Sequence, residues 1–230
     1  MDITKLLDDY IAQEEKKREG RVSSGKWKPS MFGACFRRQW WSKHQEKETN
    51  PVDDRTKRVF LAGHKFHEFV QDLIPQKQCE ILIETDDIKG YADIVTDDYV
   101  IDIKSQHSKA FWFMEKNCTD IIKEKLSNWL QVGWYAIQLK KERCKLVFIS
   151  KDDLCIKEFD VATEKLKDLV EKEISTLLSL KELPKAKPRL YPIRKKEIFN
   201  DVEVYVETGK FNECRYCAFK DKCKEVERGN

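Results

Sequence analysis

Two short stretches near the middle of the chain hold the residues best suited to chemistry. Gly90-Tyr91-Ala92-Asp93-Ile94-Val95 is followed by Tyr99-Val100-Ile101-Asp102-Ile103-Lys104. Both are rich in branched and aromatic residues and read as strands, with Thr96-Asp97-Asp98 as the turn between them. Side chains alternate across a strand, so Asp102 and Lys104 share a face while Ile101 and Ile103 point the other way. Asp93, on the neighbouring strand, can face the same spot. Two carboxylates and an ammonium are expensive to bury unless something pairs them. A divalent cation would do so, and would make the spot a metal-dependent hydrolytic centre. The plainer alternatives are a strand-end carboxylate at Asp93 and a surface ion pair between Asp102 and Lys104. Val100, Ile101 and Ile103 around Asp102 argue for a central strand and against the surface pair.

The tail holds a second candidate. Cys214-Arg215-Tyr216-Cys217 is a tight pair, and Cys223 follows. Thiolates separated by two residues grip one metal centre without strain, as in zinc and iron–sulfur sites. Cys35 is the best candidate for a fourth ligand. No histidine follows His107, so a local Cys–His zinc finger is excluded. Spacing predicts a metal at the tail and leaves zinc against iron–sulfur open. Cys79, Cys118, Cys144 and Cys155 read as buried structural thiols.

These groups need a scaffold. Residues 1–18 read as a polar helix, 21–29 as a loop, and the stretch after Ser30 as a second helix carrying Cys35. Residues 53–75 form a stronger helix, with Phe60, Gly63, His67, Val70 and Ile74 on one stripe. On such a stripe a histidine is usually a core residue; the downstream aspartates favour a ligand role for His67, with His64 as the alternative. Strands are expected at 79–85, 89–95 and 98–104, a long helix at 119–142, strands at 145–150 and 154–159, and a charged helix at 161–182. Three prolines keep 183–192 irregular. The order predicts an α/β core with a mixed central sheet flanked by helices, and helical additions at both ends. Trp112 and Phe113 read as core aromatics rather than base-stacking ones. The basic stretch 185–196 reads either as a phosphate contact or as a solvated linker.

The 230 residues carry 37% charged side chains yet a net charge of only +3, so overall charge does not identify a nucleic-acid binder. There is no basic-then-apolar leader, and no apolar run approaches the roughly 20 residues that span a bilayer. An intracellular (cytoplasmic) location without membrane association is expected, where eight cysteines do not form a disulfide framework.

With these residues in view, the chain resembles the PD-(D/E)XK nuclease superfamily in its RecB-like branch, in particular the iron–sulfur exonucleases of the CRISPR-associated Cas-four type and their phage relatives. Gly63-His64-Lys65-Phe66-His67-Glu68, Gly90-Tyr91-Ala92-Asp93, Asp102-Ile103-Lys104 and Gln131-Val132-Gly133-Trp134-Tyr135 match its motifs in order. The resemblance implies a restriction-endonuclease-like core at 51–182. It implies an N-terminal segment, 1–50, supplying Cys35, and a C-terminal segment, 183–230, supplying Cys214, Cys217 and Cys223 to a 4Fe–4S cluster. It further implies Mg²⁺ or Mn²⁺ held by His67, Asp93, Asp102 and the Ile103 carbonyl, catalysis by Asp93, Asp102 and Lys104, and DNA contact by Gln131 and Tyr135. The implied activity is a DNA exonuclease acting on single strands or duplex ends, with protein partners in DNA processing. The alternative from another class is a non-catalytic DNA-binding or adaptor protein on the same core.

Overall fold

A mixed five-stranded sheet in the order β1-β2-β3-β4-β5 carries the acidic residues. The computed structural model describes residues 1–22, 25–75, 78–199 and 202–228. The strands are β1 (Cys79–Glu84), β2 (Lys89–Val95), β3 (Tyr99–Gln106), β4 (Arg143–Ser150) and β5 (Ile156–Ala162). Neighbours run antiparallel except β3 and β4, which are parallel in the register Asp102–Leu146 and Lys104–Phe148. A parallel neighbour requires a crossover, and the helices between β3 and β4 supply it.

Alternation sorts the strands into two cores. Val100, Cys144, Leu146 and Phe148 join the larger one with α6 (Leu126–Gln138) and α7 (Glu164–Ser179). Ile103, Ile94, Val147 and Ile149 form the smaller one, against Phe66, Val70 and Ile74. Phe66 and Val70 belong to α3 (Asp54–Gln71), whose start is fixed by Asp53 accepting a hydrogen bond from Thr56 N at 2.7 Å. α6 is buried from Trp129 through Ala136, and Gly133 lets α7 approach: a Cβ there would stand 3.1 Å from Leu166 and Val170.

The mixed sheet and flanking helices agree with expectation; several details differ. Phe60 is 52% exposed, so the apolar stripe of α3 runs through Phe66 instead. Cys35 caps α2 (Phe36–Lys43) from outside. The long helix expected at 119–142 breaks at Lys125 into α5 (Ile121–Glu124) and α6. A helix, α4 (Ser108–Asn117), carries Trp112 and Phe113, which are 40% and 46% exposed and therefore not core aromatics. Of the four cysteines read as buried, only Cys144 is fully so.

The C-terminal segment is not purely helical. β6 (Pro192–Phe199) and β7 (Val202–Phe211) form a hairpin before α8 (Lys220–Arg228). Ile198 and Tyr205 are exposed and Ile193, Val204 and Val206 only partly buried, so the hairpin has no fully buried face. Within the basic stretch 185–196, Lys185 and Lys187 are exposed on irregular chain, as a linker would be, while three of the other cations are paired. Arg189 pairs with Glu173, Arg194 with Glu124 and Glu207, and Lys195 with Glu197. Among the described residues no helix is long and apolar enough to cross a membrane.

Candidate active site

β2 and β3 pair at Val95–Val100 and Ile94–Ile101 and then part. At the next position the Asp93 side chain takes over: its Oδ2 accepts from Ile103 N at 2.9 Å. Asp102 follows on β3, 1% exposed. Lys104 Nζ lies 2.8 Å from Asp102 Oδ1 and 2.7 Å from Oδ2. Opposite, α3 brings His67 Nδ1 to 3.4 Å from Asp93 Oδ2. Asp93, Lys104, His67, Gln131 and Tyr135 line one cleft of about 580 Å³. His64 lines it too, but the 3.4 Å contact to Asp93 is made by His67.

Burial sets the electrostatics. It pushes the Asp102 carboxyl up to about 6, against the pull of Lys104 and with the help of Asp93. It also raises Asp93, opposed by Lys104 and the Ile103 N–H. For Lys104, burial alone would lower the pKa, but Asp102 and Asp93 outweigh it, so the ammonium stays charged. His67 is lowered by burial and by Lys104, despite a hydrogen bond to the Ile103 backbone. It is therefore neutral near pH 7, with a lone pair to give.

Gln131 and Tyr135 lie beneath this centre, 8% and 2% exposed. Lys104 donates to Gln131 Oε1 at 3.4 Å. The Tyr135 hydroxyl hydrogen-bonds with Gln131 and the Tyr91 backbone. Gly90 makes room for it: a Cβ there would stand 2.5 Å from Tyr135 Oη and 3.0 Å from Pro29 Cδ. Gly90→Ala should therefore displace Tyr135 and loosen Lys104. We expect a stability loss of about 1–3 kcal/mol from overpacking, with cleavage reduced at least about tenfold; thermal melting and a cleavage assay check both.

Gln71 and Glu80 are among the cleft residues that escaped the sequence reading. Gln71 bridges the Asp93 carbonyl, at 3.0 Å, and Glu80 Oε1, at 3.3 Å. Its signal was present, since it follows His67 by one helical turn. Glu80 sits at φ 52°, a left-handed backbone that nothing in the local sequence announces.

As they stand, no three His, Cys, Asp or Glu side chains among the described residues are grouped closely enough to chelate one ion. One observation favours a cation nonetheless. Asp102 Oδ2 is fully buried, and the Lys104 ammonium 2.7 Å away is its one close polar neighbour. Two desolvated carboxylates served by a single ammonium, beside a neutral imidazole, fit the donor chemistry of Mg²⁺ or Mn²⁺.

Cys35, Cys217 and Cys223 are electrostatic neighbours of Cys214, but the four do not form a chelating group as they stand. Burial raises the Cys214 thiol, and Cys35, Cys217 and Cys223 raise it further. Cys35 N donates to Glu213 Oε1 at 2.6 Å, and Trp41 packs on Phe219 at 5.4 Å between ring centroids. None of the eight cysteines is in a disulfide.

Fold and site together define a mixed α/β protein with an acid–lysine–histidine cleft where two central strands diverge. The crystal structure of SSO0001 has this fold: TM-score 0.55 and 19% identity, covering 97% of this chain and 96% of that one. The alkaline exonuclease from Laribacter hongkongensis superposes less well, with TM-score 0.46 and 13% identity over 71% of this chain and 91% of that one. Its complex with dAMP gives 0.47 and 14% over 70% and 88%. No family model and no characterised protein matches the sequence.

Proposed function

We propose that the chain is a metal-dependent deoxyribonuclease, an exonuclease hydrolysing phosphodiester bonds of single-stranded DNA or DNA ends. The observation that carries this reading is a cleft lined by Asp93, Lys104 and His67, with the buried Asp102 carboxylate held behind it by Lys104 at 2.7 Å. His67, Asp93, Asp102 and the Ile103 carbonyl would hold Mg²⁺ or Mn²⁺. When bound, the cation supplies an activated water and neutralises phosphate charge. The chain's own groups do the rest. Lys104 orients the attacking water or stabilises charge developing on the phosphate. Gln131 fixes the ammonium, and Tyr135 fixes Gln131. The two therefore support the ammonium, and because both line the cleft they would also border the bound DNA strand.

Incubating the protein with 5′- and 3′-labelled oligonucleotides tests the function. Progressive shortening with Mn²⁺ and none in EDTA is expected; intact oligonucleotide under both conditions would refute it. The pH dependence follows from Asp102, which loses its proton near 6. A cation needs the ionised form, so cleavage should fall as pH drops below about 6. Raising Mn²⁺ should move the midpoint lower, because metal and proton compete for one oxygen. A pH–rate profile at two metal concentrations checks this.

Cys35, Cys214, Cys217 and Cys223 are proposed to hold a 4Fe–4S cluster that ties both ends of the chain together. Anaerobically purified protein should be brown, and Cys214→Ser should bleach it and lower its melting temperature. Colourless protein with stoichiometric zinc would overturn the iron assignment.

A further inference from the structure

Lys28 lies outside every motif discussed so far, yet it lines the same cleft as Asp93 and Lys104. Its place is fixed by its neighbours. Trp27 bridges Ile88 in parallel, its N–H donating to Asp87 O at 2.8 Å and its carbonyl accepting from Lys89 N at 3.0 Å. The backbone at Lys28 is extended, φ −111° and ψ 119°. In an extended chain alternate side chains point oppositely. Trp27 and Pro29 are both buried, so Lys28 is turned the other way, into the cleft.

Lys28 also differs from the other lysines there. Lys104 is paired with Asp102, and Lys89 lies 3.5 Å from Glu84 Oε2. Among the described residues no carboxylate stands within ion-pair distance of Lys28. Burial lowers its pKa, and Glu48, an exposed residue, raises it only in part. An ammonium partly withdrawn from water with no counter-ion is poised for an anion.

We propose that Lys28 binds a backbone phosphate of the substrate strand next to the scissile one, so that the 27–31 segment sets the path of the strand across the cleft. This rests on the nuclease reading above. Lys28 contributes charge to binding and takes no part in bond cleavage.

Binding of a fluorescent single-stranded oligonucleotide, measured by anisotropy over a range of salt, tests the proposal. The full chain is used on an Asp102→Asn background, without added divalent metal, so that the strand stays intact. Lys28→Ala should weaken binding about fivefold to tenfold at low salt and flatten the log Kd against log salt slope by about 0.7, the share of one phosphate on a single strand. Lys28→Arg should restore both. Lys47→Ala, an exposed cation outside the cleft, should change neither. If Lys28→Ala folds poorly, the Lys28→Gln and Lys28→Arg pair carries the comparison. Unchanged affinity, or weakening with an unchanged salt slope, overturns the proposal while leaving the nuclease reading intact. A parent protein that binds no oligonucleotide overturns both.

Discussion

Asp102→Asn is expected to abolish cleavage, by at least about a thousandfold, and to make the protein more stable. The first effect follows from losing the anionic oxygen that would hold the cation. The second follows from linkage. The Asp102 carboxyl is raised from 3.8 to about 6, chiefly by burial and in spite of Lys104. The folded state therefore holds an extra proton between those values, and stability falls as pH rises through that window. By pH 7 the ionised carboxylate opposes folding by about 3 kcal/mol at most. Asparagine keeps the shape without the charge, so urea unfolding should show a gain of about 1–3 kcal/mol at pH 7 that vanishes near pH 4. A marked loss of stability at pH 7 would show that the Lys104 pairing outweighs desolvation.

Glu173→Ala should produce the largest loss of stability. Glu173 is 5% exposed, on α7. Its Oε1 accepts from Gly33 N at 2.9 Å, Gln39 Nε2 at 3.2 Å and Arg189 Nη2 at 2.9 Å; its Oε2 accepts from Arg189 Nη1 at 2.8 Å. Arg189 stacks 3.8 Å over Phe36 and donates to the Ala34 carbonyl. Its own N–H and that of Leu190 reach Glu213 Oε2, whose other oxygen holds Cys35 N. One buried carboxylate thus secures the segment that presents Cys35. Removing it strands a guanidinium and a buried N–H, at a cost of about 3–5 kcal/mol. Chemical denaturation measures this. A cost under about 0.5 kcal/mol, the usual scale for surface changes, would remove the junction from the account.

This junction marks the limit of what the sequence discloses. The strands bearing Asp93 and Asp102 were legible because period-two alternation survives wherever one face is buried, and the mixed sheet was legible from the order of strands and helices, though not which pair is parallel. His67 could be placed because it shares a stripe with core residues of α3. Glu173, by contrast, lies on a helix rich in charge, where nothing separates a buried carboxylate from its solvated neighbours. Arg189 looked like part of a basic run because its partners are distant in sequence. The hairpin after Pro192 was missed for another reason: Val202, Val204 and Val206 do alternate with Glu203, Tyr205 and Glu207, but the partner strand reads as a charged run from Arg194 to Glu197. The parting of β2 and β3 that opens the cleft is a tertiary event, set by the Asp93 side chain taking a position the backbone would otherwise fill.

Electron paramagnetic resonance of Mn²⁺ added to the protein shows whether a cation binds at Asp102. One tightly bound ion in the unmodified chain, displaced by Mg²⁺ and lost in Asp102→Asn, is the expected result. Equal Mn²⁺ binding by the two proteins would contradict it.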